Sequence, residues 1–265
     1  MGGNRAKSQA AYISDKVMIV NGSSTNSESL TDAVLLGDGV FETLRTYENR
    51  TYGFDRHIER LRSGLVEIGI ANFDLEPVVG SIKRILIEEA LPSGALRIAC
   101  YADGGYVISH KPFEPKNDGI RCAIHKEVGE FKRFKSASYS SRLGLRRLAL
   151  QMGFDDVITI DESGIVGELS TSNLLLHIDG EWMTPDLKSG CLPGVTRGFL
   201  IENFGVRQAQ LSKDEIESAT AAAAVSSLRE VQQIKAIDGK DFAISKELRE
   251  LQESFSAWVL GNLLS

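Results

Sequence analysis

Strand-like and helix-like stretches alternate along this chain of 265 residues without the strict rhythm of βαβ units, and this irregular order most constrains its fold. The alternation over 40–47, Val40-Phe41-Glu42-Thr43-Leu44-Arg45-Thr46-Tyr47, fits a half-buried strand. A short apolar run at 17–21, ended by a polar loop at 22–29, reads as another strand. With a tight turn at 48–50 leading into 51–53, these segments predict a β-meander. Ile58, Leu61, Leu65 and Ile68 then form a helical stripe behind Asp55 as N-cap, and Val78, Val79, Ile82, Ile85 and Leu86 mark a second helix over 76–90. A strand at 95–101 is broken by Asp103-Gly104-Gly105.

Between 111 and 118, Pro112, Pro115 and Asn117 interrupt an otherwise periodic chain, which places a domain boundary there: 1–115 as a small N-terminal domain and 116–265 as a larger one. The second half predicts a strand at 120–126, a helix at 139–152, and strands at 157–161 and 173–178. Asp179-Gly180 is a hairpin turn into 181–183. A helix at 196–204, a strand at 206–211, a helix from Ser212, a strand near 222–225 and a closing helix at 245–260 complete the order. The class expected is α+β with two domains, not a doubly wound sheet. The alanine tract 221–224 is too short to carry meaning.

Composition narrows the function. With 42% hydrophobic and 25% charged residues, the chain can bury a core without staples. A net charge of −6 with scattered bases argues against nucleic acid as the main partner. Cys100, Cys122 and Cys191 make neither a disulfide framework nor a zinc-ligand spacing; each reads as a small buried hydrophobe in a reducing cytoplasm. The histidines His57, His110, His125 and His177 show no ligand spacing, so no metal is expected. The stretch 1–7 is Gly-rich, polar and basic, with no apolar run behind it that would make a signal peptide. No window approaches the roughly 18 apolar residues of a membrane span.

The chemistry centres on the basic stretch 131–139, at the junction of a strand and a helix. A lysine beside Phe134 can have its ammonium partly desolvated, which lowers its pKa and makes the amine a nucleophile. Local chemistry alone does not choose between Lys132 and Lys135. Leu192-Pro193-Gly194-Val195-Thr196-Arg197 feeds a helix N-terminus, where backbone N–H groups and the Thr196 hydroxyl suit an anion. Arg60, one turn after His57, offers a bidentate phosphate donor. Glu168 precedes Leu169-Ser170-Thr171-Ser172-Asn173, a carboxylate before a run of short hydroxyl and amide side chains. Each alone is ordinary: punctuation, a solvated helical arginine, a Ser/Thr-rich loop. Together they are what pyridoxal phosphate requires, namely a Schiff-base amine, a partner for the pyridinium and a phosphate anchor. Gly37-Asp38-Gly39 does not match a Rossmann turn, and no Gly-Lys-Ser/Thr is present.

The motifs GDGVFETLR at 37–45, HIERL at 57–61, a lysine eighteen residues before Gly153, VGELSTSN at 166–173, DGEWMTP at 179–185 and LPGVTR at 192–197 follow one another in an order that resembles the class IV aminotransferase family. These are the fold-type IV pyridoxal-phosphate enzymes, similar in fold to D-amino-acid aminotransferase, with the cofactor between a small α/β domain and a larger one. The resemblance implies that Lys135 is the Schiff-base lysine and the general acid and base. It also implies that Arg60, Val195 and Thr196 hold the phosphate, that Glu168 pairs with the pyridine nitrogen, and that Tyr139, Ser172, Asn173 and Ser227 complete the cofactor site. It further implies a homodimer with a shared active site, the neighbour lending a loop within 103–110.

Within that family, Lys135-Ser136-Ala137-Ser138-Tyr139 and Ser226-Ser227-Leu228-Arg229-Glu230-Val231 look more like the aminodeoxychorismate lyase branch. The alternative for 226–231 is an exposed strand-to-helix corner. Ala95-Leu96-Arg97-Ile98-Ala99 departs from the Tyr-Ile-Arg-Pro strand of branched-chain enzymes, and 104–110 lacks the arginine of the D-amino-acid enzymes. The expected activity is elimination of pyruvate from 4-amino-4-deoxychorismate to give 4-aminobenzoate for folate synthesis. The alternative is transfer of an amino group from a branched-chain L-amino acid, a D-amino acid or an (R)-amine to a 2-oxo acid. A folded scaffold that kept the motifs but lost the cofactor is the rival of another class.

Overall fold

A computed structural model of the chain describes residues 17–20, 23–24, 32–88, 90–116, 118–127 and 134–264; the N-terminal stretch 1–7, most of the 22–29 loop, and Lys132 lie outside them. The first half is an antiparallel sheet of five strands in the order β2-β1-β5-β4-β3. Its strands are β1 (Val17–Val20), β2 (Ser23–Ser24), β3 (Gly39–Tyr47), β4 (Ser93–Tyr101) and β5 (Tyr106–Pro112), and its helices are α1 (Asp32–Leu36), α2 (Phe54–Glu67) and α3 (Glu76–Glu88). Side-chain direction alternates along a strand, so β3 presents two different faces. Val40 and Leu44, with Leu96, Ile98 and Ile108, pack on Leu61 and Leu65 of α2 and Val78, Ile82 and Ile85 of α3. Burying each such aliphatic side chain contributes about 1.5–3 kcal/mol, which fixes the register of the sheet against the helices. The other face carries Phe41, Thr43 and Arg45, opposite Ala99, Arg97 and Ala95 of β4.

The second half is a mixed sheet of nine strands in the order β11-β10-β9-β12-β13-β6-β7-β8, with β14 paired to β13. In chain order it runs β6 (Ile120–Lys126), α4 (Ser140–Gln151), β7 (Asp156–Ile160), β8 (Val166–Leu169), β9 (Asn173–Ile178), β10 (Glu181–Pro185) and α5 (Val195–Asn203). It continues with β11 (Arg207–Ala209), α6 (Lys213–Ser218), β12 (Ala221–Ser226), β13 (Glu230–Ile237), β14 (Lys240–Asp241) and α7 (Lys246–Gly261). Asp179 and Gly180 both take positive φ (50° and 82°), the I′-type turn that joins β9 to β10. The alanine tract has meaning after all. It forms β12 in mid-sheet, with Ala222 and Ala224 in one core layer and Ala223 in the other, where small side chains let both faces be covered.

The structure corrects the expected order in several places. Residues 51–53 form no meander strand: the partner of β3 is β4, and Thr51 makes only an isolated bridge to Leu264. Glu48 and Asn49 turn the chain in left-handed conformations (φ 48° and 63°), and α2 begins four residues after Arg50, which leaves no length for another strand. Gly53, not Asp55, is the N-cap of α2, at φ 64° and with no side-chain cap; Asp55 sits in the first turn. Residues 106–110 are not a loop but part of β5, paired on one side with β1 and on the other with β4, so only the 103–105 turn is left as a loop. Finally, 226–231 is no strand-to-helix corner. It is the tight connection from β12 to β13, with Ser226 paired to Glu230 and Ser227 buried.

Candidate active site

Lys135 lies between β6 and α4, and its backbone is strapped to β3. The Phe41 N–H donates to the Lys135 carbonyl at 2.8 Å, the Ala137 N–H to the Gly39 carbonyl at 2.8 Å, and Val40 bridges Ser136. Its ammonium stands 4.8 Å from the centre of the Phe41 ring and 5.6 Å from that of Tyr139. Burial among these rings, reinforced by the Arg60 charge, lowers the Lys135 pKa from 10.5 to about 8, against the pull of Glu42 and Glu168. A substantial neutral fraction near pH 8 is what a nucleophilic amine needs.

Glu168, at the end of β8, faces the same cavity of about 970 Å³ as Lys135, Tyr139 and Thr196. Its Oε2 accepts from the Asn173 amide at 3.1 Å and the Leu192 N–H at 3.0 Å, and its Oε1 accepts from Arg142 Nη2 at 3.0 Å. Burial raises its pKa, while Arg142, the Leu192 N–H and Lys135 oppose that rise. The Asn173 amide also donates to the Leu192 carbonyl at 2.8 Å, so this side chain latches β9 to the loop before α5. Gly194 must be glycine there, since a Cβ would sit 1.9 Å from Asn173 Oδ1. Tyr139 donates from its hydroxyl to the Ser170 carbonyl at 3.3 Å and stands edge-on to Phe41. Among the described residues the buried hydroxyls of Ser170 and Ser172 have no hydrogen-bond partner.

Gly194 caps α5, so Val195 and Thr196 occupy its first turn, where N–H groups have no intrahelical acceptor. Arg60, on α2, donates from Nη1 to the Pro193 carbonyl at 3.0 Å and grips Glu42 through Nε (2.7 Å) and Nη2 (2.8 Å). Of the five guanidinium N–H groups two remain, enough for an anion beside the helix end. Although burial opposes it, the Arg60 charge and the bond from His57 hold Glu42 down to about 2. The ionised carboxylate can only accept, so His57 Nδ1 donates to Glu42 Oε2 at 2.8 Å. Burial pushes His57 down, its other nitrogen is therefore an acceptor, and the Ser227 hydroxyl donates to it at 3.0 Å. Tyr52 and Thr196 share a hydrogen bond of 2.8 Å.

The structure thus brings Lys135, Arg60, Glu168, Ser172, Asn173, Val195, Thr196, Tyr139 and Ser227 around one cavity. Arg97 also lines it, and Glu42, His57 and Arg142 stand behind its lining through Arg60, Ser227 and Glu168; none of the four was expected there. Glu42 had a signal: it shares strand parity with Val40 and Leu44, and a carboxylate in the core-facing register demands a buried cation. His57 and Arg60 lie three apart on α2, one helical face from that carboxylate. Arg142 had none, being one arginine among several on a surface helix. Among the described residues no group of three or more His, Cys, Asp or Glu side chains could hold a metal ion, and no helix is long and apolar enough to cross a membrane.

Residues 39–237 match the family model described as amino-transferase class IV. The chain belongs to the class IV aminotransferase family. It is 22% identical over 276 residues to a D-alanine aminotransferase of Staphylococcus epidermidis, covering 91% of this chain and 97% of that one. It is 30% identical over 194 residues to an aminodeoxychorismate lyase of Bacillus subtilis, covering 64% of this chain and 65% of that one. A hypothetical aminotransferase from Mycobacterium tuberculosis, solved in a PLP-bound form, superposes with a TM-score of 0.82 at 19% identity, covering 92% of this chain and 99% of that one. Class IV aminotransferases are pyridoxal-phosphate enzymes with the fold-type IV architecture, and this chain is accordingly an enzyme of that cofactor. The residues present fit it: orphaned serine hydroxyls, a free helix end beside a half-engaged arginine, and a lysine of lowered pKa across the cavity from a buried carboxylate.

Proposed function

We propose that this class IV enzyme eliminates pyruvate from 4-amino-4-deoxychorismate, releasing 4-aminobenzoate for folate synthesis. The observation that carries the reading is Arg97. Its guanidinium lies 3.9 Å from the centre of the same Phe41 ring that Lys135 approaches, and among the described residues it has no carboxylate partner. A substrate with its amine at Lys135 can therefore set a carboxylate against Arg97. The Bacillus subtilis lyase supports the same reading.

In this reading the phosphate lies at the first turn of α5, held by the N–H groups of Val195 and Thr196, the Thr196 hydroxyl, the two remaining Arg60 donors and Ser227. Tyr139, Ser172 and Asn173 border the ring, and Glu168 meets its nitrogen. When bound, pyridoxal phosphate supplies an electron-accepting ring that acidifies the carbon bearing the substrate amine. Lys135, displaced by that amine, takes the proton from this carbon. The electron pair of the broken C–H bond forms the new C=C bond that aromatises the substrate ring, the C–O bond to the enolpyruvyl group breaks with its electron pair on oxygen, and the departing enolate takes a proton at carbon to become pyruvate. Phe41 and Tyr139 keep water from the Lys135 amine. The reading takes the enzyme as a cytoplasmic homodimer, with the three buried free thiols suited to a reducing compartment.

The second reading, amino-group transfer to a 2-oxo acid, is favoured by the D-alanine aminotransferase likeness over nine-tenths of the chain. Purified enzyme supplied with aminodeoxychorismate, and separately with D-alanine, L-leucine or an (R)-amine, separates the two. Stoichiometric 4-aminobenzoate and pyruvate are expected. Conversion to the pyridoxamine form by one amino donor, with no 4-aminobenzoate, would establish the transferase instead.

A further inference from the structure

The surroundings of Glu168 contain a cation that the proposed cofactor site does not use. Arg142 stands in the first turn of α4, seven residues after Lys135, and is only 16% exposed at its side chain. Its Nη2 reaches Glu168 Oε1 at 3.0 Å, and its Nη1 lies 3.8 Å from Glu127 Oε2. Among the described residues neither Nη1 nor Glu127 Oε2 has a hydrogen-bond partner. Arg142 is therefore shared between two carboxylates, firmly with one and loosely with the other. On Glu168 the two donors from Asn173 and Leu192 occupy Oε2, and among the described residues Arg142 is the single donor to Oε1.

We propose that Arg142 is a positioning residue that holds Glu168 as an anion and keeps part of its charge, so that Glu168 retains a proton on the pyridine nitrogen less firmly than a lone carboxylate would. The inference rests on the cofactor reading for its second half and on the ion pair alone for its first. The physics is simple. A carboxylate paired with a ring N–H⁺ shares one proton with it, and a second cation on the same carboxylate lowers the proton affinity of the whole pair. Weaker ring protonation makes a shallower electron sink, which suits an elimination driven by aromatisation better than a transfer that must store the electrons on the cofactor. Arg142 thereby becomes a determinant of reaction type without touching substrate. The other charged or titratable groups around Glu168 are Lys135 and Tyr139 from the segment before α4, Glu127 after β6, Cys191, and Arg197 of α5.

The test is a carboxyl ¹³C titration of Glu168 in the full chain, its signal identified by loss in Glu168→Gln. Arg142→Gln is expected to raise the midpoint by about one pH unit or more, with Arg142→Lys falling between. Glu127→Gln removes the competing carboxylate and is expected to lower the midpoint, the opposite sign, which no general loosening of the fold would give. In protein loaded with ¹⁵N-labelled pyridoxal phosphate, Arg142→Gln should keep the ring nitrogen protonated to higher pH. An unmoved Glu168 midpoint in Arg142→Gln would overturn the proposal. Should Arg142→Gln not fold, Arg142→Lys decides: a midpoint equal to that of the native chain overturns it, and a raised one supports it. A chain that never turns yellow with pyridoxal phosphate would remove the cofactor reading and the ring-nitrogen half, while the carboxyl titration still decides the pairing.

Discussion

The Ser227 hydroxyl donates its proton to His57 Nε2 at 3.0 Å, and this single bond sets what an anion beside Ser227 will meet. With His57 neutral, the serine proton points at the imidazole and its lone pairs point elsewhere. A phosphate dianion reverses the preference: it raises the proton affinity of His57, whose Nε2–H then donates to Ser227 and frees the hydroxyl proton for the anion. Binding of inorganic phosphate should therefore take up a proton near neutral pH. Calorimetry in buffers of different ionisation enthalpy will show that uptake, and His57→Asn will abolish it. Proton-neutral binding by the native chain refutes this.

Glu42 links acid stability to the same network. Its folded value of about 2 lies below the ordinary 4.5, so its contribution is fully present above pH 4.5 and is lost as pH falls toward 2. Glu42→Gln should cost about 3 kcal/mol at neutral pH and flatten the stability curve across that acid window. Urea midpoints measured from pH 7 to pH 2.5 test both; parallel curves for the two proteins would contradict the assignment.

Lys135 should be the site of borohydride-fixed pyridoxal phosphate, and Lys135→Ala should leave the protein colourless. With a pKa of about 8, its capture rate should rise about fivefold between pH 7 and pH 8 as the neutral fraction grows. The lowered value means that the unfolded chain binds more protons than the folded one between about 8 and 10.5. Stability relative to Lys135→Met should accordingly rise with pH through that window. A label found on another lysine defeats the alignment of the whole site.

Arg97→Gln should raise KM for a carboxylated substrate at least tenfold, the order expected for loss of a charge-assisted pair, with little change in kcat. Equal KM values for native and variant enzyme would show that the substrate carboxylate binds elsewhere.

Gly194→Ala should abolish anion binding and lower stability by about 2 kcal/mol, because the new methyl would strike the Asn173 amide oxygen. Pairing it with Asn173→Ser, which makes room, should restore folding in thermal melts. A double variant no more stable than Gly194→Ala alone would place the strain elsewhere.

Most helices and the strands at 120–126 and 173–178 were legible because one apolar stripe or run decides each. The segments that were not legible share a different trait: their buried polar side chains imitate loops. In β5, His110 is buried against Thr46 at 2.8 Å, so an inward-facing residue reads as an exposed one. In β8 every residue is buried, yet Gly167 and Glu168 look like turn composition. In β13, Gln232 is buried because it donates to the Lys116 and Asp118 carbonyls. For the site, motif order was enough to gather residues far apart in sequence, such as Arg60 and Thr196. It was blind to Arg142 and Glu42, whose importance lies in which charge faces them.

The strap between Lys135 and β3 has a mechanical consequence. Sequence assigns the lysine to the second half of the chain, but its backbone is sewn into the ladder of the first sheet through Phe41, Val40 and Gly39. The same ladder pairs Phe41 with Ala99 and Thr43 with Arg97, so the amine, Phe41 and Arg97 take their positions from one set of backbone hydrogen bonds, while Glu168 and the end of α5 take theirs from the second sheet. On the proposed reading, a substrate bound to the amine and to Arg97 takes its orientation from that ladder, and β3 acts as the ruler between its two ends.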